Sequence, residues 1–121
     1  MKFYVGLHQI KDSVHFDRVF ISVNRARRRR GKPVPCDDWI LDSGAFRELE
    51  AYGTYRHGVR EYADEIHRLR DFNDGLWCAV TQDWMCENWM IDRTGLSVRE
   101  HQKRTIARYD ALVRLVDGVY I

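Results

Sequence analysis

Proline is scarce in this chain of 121 residues: there are two, Pro33 and Pro35, almost side by side. Helix breaking by proline is therefore confined to one place. Cysteine is scarce as well. Cys36, Cys78 and Cys86 make an odd count, and no two have C-x-x-C spacing, so neither a disulfide framework nor a structural zinc site is expected. The five histidines, His8, His15, His57, His67 and His101, lack metal-ligand spacing; surface or structural roles are expected, and no metal. No apolar run approaches the roughly 20 residues that span a bilayer. The opening Met1-Lys2-Phe3-Tyr4-Val5 reads as a strand and lacks the apolar core and cleavage site of a signal peptide. A cytoplasmic protein without a membrane partner is the expectation.

What is present suits one small domain over residues 1–121, with 45% hydrophobic and 31% charged residues. The net charge of +2 is unevenly spread. Residues 1–32 hold nine Lys/Arg against two Asp/Glu, a net of +7, and the remainder holds eleven against sixteen, a net of −5. Most of the excess lies in Arg25-Ala26-Arg27-Arg28-Arg29-Arg30-Gly31-Lys32, which the two prolines close in an extended or turning path. Such asymmetry points to a polyanionic partner. A solvated loop is the usual fate of a charge run and stays the competing reading.

Strand and helix patterns alternate along the chain. Phe3 to Leu7 reads as a first strand, buried on both faces, and His8 to Ser13 as a connection. Phe16 to Ser22 is either a second strand or one helical turn. Trp39 to Leu41 is a strand, followed by a short helix from about Ala45 to Ala51 that Tyr52-Gly53 ends. A clearer helix spans Val59 to Phe72, with Val59, Tyr62, Ala63, Ile66, Leu69 and Phe72 on its apolar face. Asp74-Gly75 stops it through a left-handed glycine, and Leu76 to Thr81 is the next strand. Asp83 to Gly95 reads as a loop rich in large side chains. Ser97 and Glu100 form a capping-box pattern that opens a long helix, with Ile106, Tyr109, Leu112, Val113 and Val116 predicted on its buried side. Asp117-Gly118 ends that helix, and Val119-Tyr120-Ile121 begins another strand. The spacing predicts an α/β fold of βα units on a parallel sheet, both faces covered.

Two places carry chemistry. Trp39-Ile40-Leu41-Asp42-Ser43-Gly44-Ala45-Phe46 takes an apolar run into a carboxylate, a hydroxyl and a glycine before turning helical. Cys78-Ala79-Val80-Thr81 runs likewise into Gln82-Asp83. In α/β proteins strand ends deliver ligand-binding groups to one rim of the sheet. Each aspartate has a plainer reading as a cap after a strand. Gly44 suits a tight turn or close backbone approach.

At Leu41-Asp42-Ser43-Gly44-Ala45-Phe46 the chain resembles the transglycosylases that exchange guanine for a 7-deazaguanine, whose motif here is Asp-Ser-Gly-Gly-Phe. Ile21-Ser22-Val23-Asn24-Arg25, Ala79-Val80-Thr81-Gln82-Asp83, Arg93-Thr94-Gly95 and Glu100-His101-Gln102 are similar to the DNA-directed, DpdA-type branch. The resemblance implies an incomplete (β/α)8 TIM-barrel, roughly its first three βα units. It also implies an aspartate nucleophile that attacks the sugar C1′ and expels guanine. That nucleophile belongs to later strands and has no counterpart here, so the expectation is part of a base-exchange enzyme, a pentosyltransferase, that is not active alone. The implied partners are DNA (or tRNA), a 7-deazaguanine base and a second chain that completes the barrel; no cofactor is implied.

Residue by residue, the resemblance makes Asp83 the base-reading carboxylate. An ionised carboxylate accepts guanine's N1–H and exocyclic N–H as a bidentate pair. Asp42 becomes a general acid/base or positioning group. Ser43 either bonds the base or caps the helix, and Cys86 either lines the pocket or is a small buried hydrophobe. Of Trp84, Met85, Trp89 and Met90, at least two are expected to be packing residues, the others shielding a base extruded from its duplex. Arg25, Arg27, Arg28, Arg29 and Arg30 are candidates for phosphate contact. Two rivals differ in kind: a non-catalytic nucleic-acid-binding remnant or subunit using the Arg25–Lys32 run, and a hydrolase using Asp42 and Asp83 as paired carboxylates.

Overall fold

The computed structural model describes residues 1–30, 34–72 and 74–121. The end of the basic run (Gly31, Lys32) and the path through Pro33 lie outside the described residues. Four strands, β1 (Val5–Leu7), β2 (Val19–Ser22), β3 (Trp39–Asp42) and β4 (Leu76–Ala79), form a parallel sheet in the order β1-β2-β3-β4. The order follows the chain without reversal, so these strands contain no topological switch point of the doubly wound kind. A 3-10 helix (Ile10–His15) joins β1 to β2, and α1 (Val23–Ala26) follows β2. The β3–β4 connection holds α2 (Ala45–Tyr52) and α3 (Val59–Phe72), and β4 leads to α4 (Asn88–Thr94) and α5 (Val98–Leu115).

Burial along β2 and β3 alternates as the pleat demands. Val19, Ile21, Trp39, Leu41, Leu76 and Ala79 are buried against Tyr62, Ala63, Ile66 and Leu69 of α3 and Leu112 of α5. The opposite face, with Phe20, Ile40 and Asp42, is only half-buried. The expectation of two fully covered faces is thus corrected: among the described residues, α3 and α5 seal one face and leave the other partly open. β1 is likewise less buried than expected, with Phe3 and Gly6 exposed.

α3 forms where its apolar spacing placed it, although Phe72 is exposed, under the Arg68 guanidinium. α5 opens with the complete capping box, in which Glu100 N–H donates to Ser97 Oγ (3.2 Å) and Ser97 N–H to Glu100 Oε2 (2.7 Å). Its buried side matches the predicted one only at Leu112 and, in part, at Val116. Ile106, Tyr109 and Val113 face solvent, and His101 and Leu112 are the buried residues. α4 occupies part of the stretch read as a loop. Val119–Ile121 makes a single parallel bridge, Cys78 to Tyr120, rather than a strand.

Gly75 also departs from expectation. It is not left-handed; the positive-φ glycines are Gly44, Gly53, Gly95 and Gly118. Its role is close approach. A Cβ there would stand 2.7 Å from the Asp37 carbonyl carbon, where the Gly75 carbonyl accepts from Trp39 N–H at 2.9 Å.

Candidate functional site

Because the strands are parallel, their C-terminal ends share one edge. β2 ends in Ser22, directly opposite Asp42 of β3. Val80 extends the β3–β4 ladder, its N–H donating to the Leu41 carbonyl at 2.8 Å, and Thr81, Gln82 and Asp83 follow beside the end of β3.

Asp42 sits on the half-open face and folds back on its own turn, where the Gly44 N–H donates to Oδ2 at 3.0 Å. Gly44, with φ of +73°, is the N-cap of α2 and supplies no side chain. A Cβ at Gly44 would stand 2.4 Å from Asn24 Nδ2 and 3.3 Å from Ser22 Oγ, so the absent side chain lets the β3 turn lie against the start of α1. Ser43 does not cap α2. Its Oγ is buried without a good hydrogen bond, near enough to the Tyr55 phenol to act on it electrostatically. Asn24 Nδ2 and Thr81 Oγ1 are also buried without partners, as is Trp84 Nε1. Buried polar groups are nearly always paired, so these four are exceptions among the described residues.

Burial shifts both carboxylates the same way, and Asp83 also feels the charge of Asp42. Burial raises the pKa of Asp42, against the pull of the Gly44 and Ser43 N–H groups. Burial also raises that of Asp83, and the negative charges of Asp42 and Glu87 add to the rise. A carboxylate raised this way in the folded state stabilises the fold below its unfolded value. That contribution is lost as pH rises through the folded value, so ionisation at neutral pH costs stability. Asp42→Asn, which keeps an acceptor for Gly44 N–H, is expected to raise Tm at pH 7. The gain should vanish below pH 3.8, the ordinary Asp value, where both forms are neutral in both states. Calorimetric melts at the two pH values check this; about 1 kcal/mol would read as roughly 4 °C.

A second apolar cluster of Ala45, Leu49, Tyr55, Trp84 and Met90 roofs this edge. Trp84 and Met90 are buried packing residues, Met85 packs on the cluster, and Trp89 is exposed with its edge against Phe46. Tyr55, which no sequence signal singled out, donates to the Asp83 carbonyl at 2.6 Å. Burial lifts its pKa far above the phenol range, so it stays protonated and keeps the hydrogen that it donates. The Gly53–Gly58 segment that carries it is held by the buried Glu48, whose Oε2 accepts from Arg56 N–H and Nε (3.1 Å each) and whose Oε1 accepts from Nη2 (2.7 Å). Gln82 is a strut: its Nε2 donates to the His57 carbonyl (3.0 Å) and its Oε1 accepts from Arg108 (3.2 Å).

Cys86 is exposed and does not pack as a small hydrophobe, and no disulfide joins Cys36, Cys78 or Cys86. Among the described residues no three His, Cys, Asp or Glu form a metal-ligating group, and no helix is long and apolar enough to cross a membrane. The basic run divides. Arg25, Arg28 and Arg30 are exposed, Arg29 is half-buried, and Arg27 is half-buried with its pKa lowered by burial and supported by Glu65.

No curated protein and no solved structure matches the chain. A family model does, over residues 1–119: DeoxyPurine in DNA protein A. The chain therefore belongs to the DpdA family.

Proposed function

We propose that this chain forms part of a transglycosylase that replaces guanine in DNA with a 7-deazaguanine derivative. Membership of the DpdA family supplies the DNA and deoxypurine context. The observation that carries the reading is the electrostatic coupling of Asp83 to Asp42 beside buried polar groups without partners. The unreversed strand order favours a barrel, with Asp42 on its inner face.

In this reading the Asp83 carboxylate accepts the N1–H and exocyclic N–H of the purine, and Tyr55 holds the Asp83 backbone in place. Asp42 holds a proton more readily than an exposed aspartate because burial disfavours its charge. It can pass that proton toward the departing guanine and recover it from the incoming base, or position the base in the ionised form. Ser43 offers a hydroxyl to the same base. The nucleophile that attacks C1′ is a further carboxylate, from later strands of the barrel in this polypeptide or a second one.

The test is calorimetric. Titration with 7-deazaguanine at pH 7.5 should give a saturable heat, and adenine none. Equal heats for both purines would refute base recognition at this edge.

A further inference from the structure

The basic residues that the base site does not use gather in a different way from the linear run. The chain leaves β1 at Leu7 and turns through the 3-10 helix. His8, Gln9 and Lys11 from this turn form one wall of a cleft of about 530 Å³, and Arg25, Arg28 and Arg29 form the other. His8, Lys11, Arg25 and Arg28 are exposed. Among the described residues no carboxylate lines the cleft. The cavity at the other end of the sheet, about 340 Å³, is lined by Asp37, Asp38 and Asp74 together with Lys2, and Asp38 is also paired with Arg18 at 2.9 Å. The fold thus carries a cationic cleft at the edge that holds Asp42 and an acidic one at the opposite edge.

The walls are firm. Ser13 Oγ donates to the Ile10 carbonyl at 2.6 Å, fixing the turn after β1. Ser22 Oγ accepts from Asn24 N–H at 3.3 Å to start α1, and the Arg68 guanidinium reaches from α3 to the carbonyls of Ala26 (3.3 Å) and Arg29 (3.5 Å). Register fixes the location. Leu7 lies level with Ile21, and Ile21 with Leu41. His8 therefore falls in the row of Ser22 and Asp42, two strand spacings or about 10 Å across the edge.

We propose that this cleft is a phosphodiester-binding subsite that seats the DNA strand flanking the nucleotide handled at Asp42. The proposal rests on the base-exchange reading for its choice of DNA. Guanidinium and ammonium groups on two fixed walls, with no acid between them, suit a chain of phosphates. They carry no means of reading a base.

The test is a salt titration of binding, by fluorescence polarisation, to a short labelled duplex. Lys11→Gln, Arg25→Gln and Arg28→Gln should each flatten log affinity against log salt by about 0.9, and the triple variant by roughly two to three. Arg25→Lys and Arg28→Lys should keep the wild-type slope. Arg114→Gln, an exposed charge near the far end of α5, should leave it unchanged. A triple variant with the wild-type slope, or an Arg114→Gln loss as large as those at the cleft, would overturn the proposal. So would displacement of the duplex by submillimolar inorganic phosphate at constant ionic strength, which marks a free-anion pocket. Duplexes with and without guanine separate the two readings. Equal slopes on both, lost in the triple variant, support the cleft even where base recognition at Asp83 fails.

Discussion

Asp83→Asn is expected to weaken 7-deazaguanine binding about 100-fold, close to 3 kcal/mol, while leaving the chain folded. The carboxamide keeps one acceptor and turns the other into a donor that faces the donor edge of the purine. One charge-assisted bond is lost and an N–H is set against an N–H. The Tyr55 bond is made to the Asp83 backbone carbonyl, so the substitution leaves the local scaffold in place. Binding to the unmodified chain should also fall as pH drops. Burial and the Asp42 charge raise the Asp83 pKa, so its carboxylate gains a proton, and loses acceptor capacity, at a higher pH than an exposed aspartate does. Calorimetry on the variant and on the parent across the acid range checks both outcomes. An Asp83→Asn chain that binds the base as tightly as its parent would remove Asp83 from base recognition.

Gly44→Ala is the second large effect. A residue with a Cβ at φ of +73° carries left-handed strain of roughly 1–2 kcal/mol. The new methyl would also meet Asn24 Nδ2 at 2.4 Å and Cγ at 3.1 Å. Together these should cost about 2–4 kcal/mol, or a fall in Tm of roughly 10 °C. The two causes separate in a double-mutant cycle. Truncating Asn24 to Ala removes the collision and leaves the strain, so the double variant should recover about half of the loss. Strict additivity of the two substitutions would show that the β3 turn and the start of α1 do not press on each other.

The sequence announced those parts of the fold where pattern and packing agree. The α3 helix repeats its apolar residues at helical spacing, and Tyr62, Ala63, Ile66 and Leu69 are buried as that spacing requires. The capping box at Ser97 is local chemistry and needs no tertiary context. The α5 stripe held at Leu112 and Val116 but not at Ile106, Tyr109 or Val113, for a reason that bears on function. The face turned to the protein holds His101, Thr105, Arg108 and Leu112, at i, i+4, i+7 and i+11. Three of the four are polar because they serve the roof of the site. The His101 ring nitrogens reach the Met85 carbonyl (2.6 Å) and Thr94 Oγ1 (2.7 Å). Thr105 Oγ1 accepts from Trp84 N–H at 2.8 Å, and Arg108 holds Gln82. Sites break hydrophobic patterning in this way, which hides the true buried face from a periodicity search.

α4 escaped notice because it starts without a side-chain cap at Glu87 and lies among aromatic residues that read equally well as loop. Within the site, Asp42 and Asp83 were visible as carboxylates at strand ends. Tyr55 was not: it is fixed from outside by Glu48 and Arg56 within a segment that has no periodicity of its own. The cationic cleft was half visible. The arginine run is plain in the sequence, but its opposing wall comes from a turn that only the strand register brings across from it.

The account depends on Asp42 and Asp83 sharing one electrostatic environment, and the direct measurement is an NMR titration of the Asp83 side-chain carboxyl carbon in the parent and in Asp42→Asn. The account predicts that removing the Asp42 charge lowers the Asp83 midpoint. It also predicts that saturating 7-deazaguanine lowers it further, since the bound purine donates to the ionised form. An Asp83 midpoint indifferent to both would contradict it.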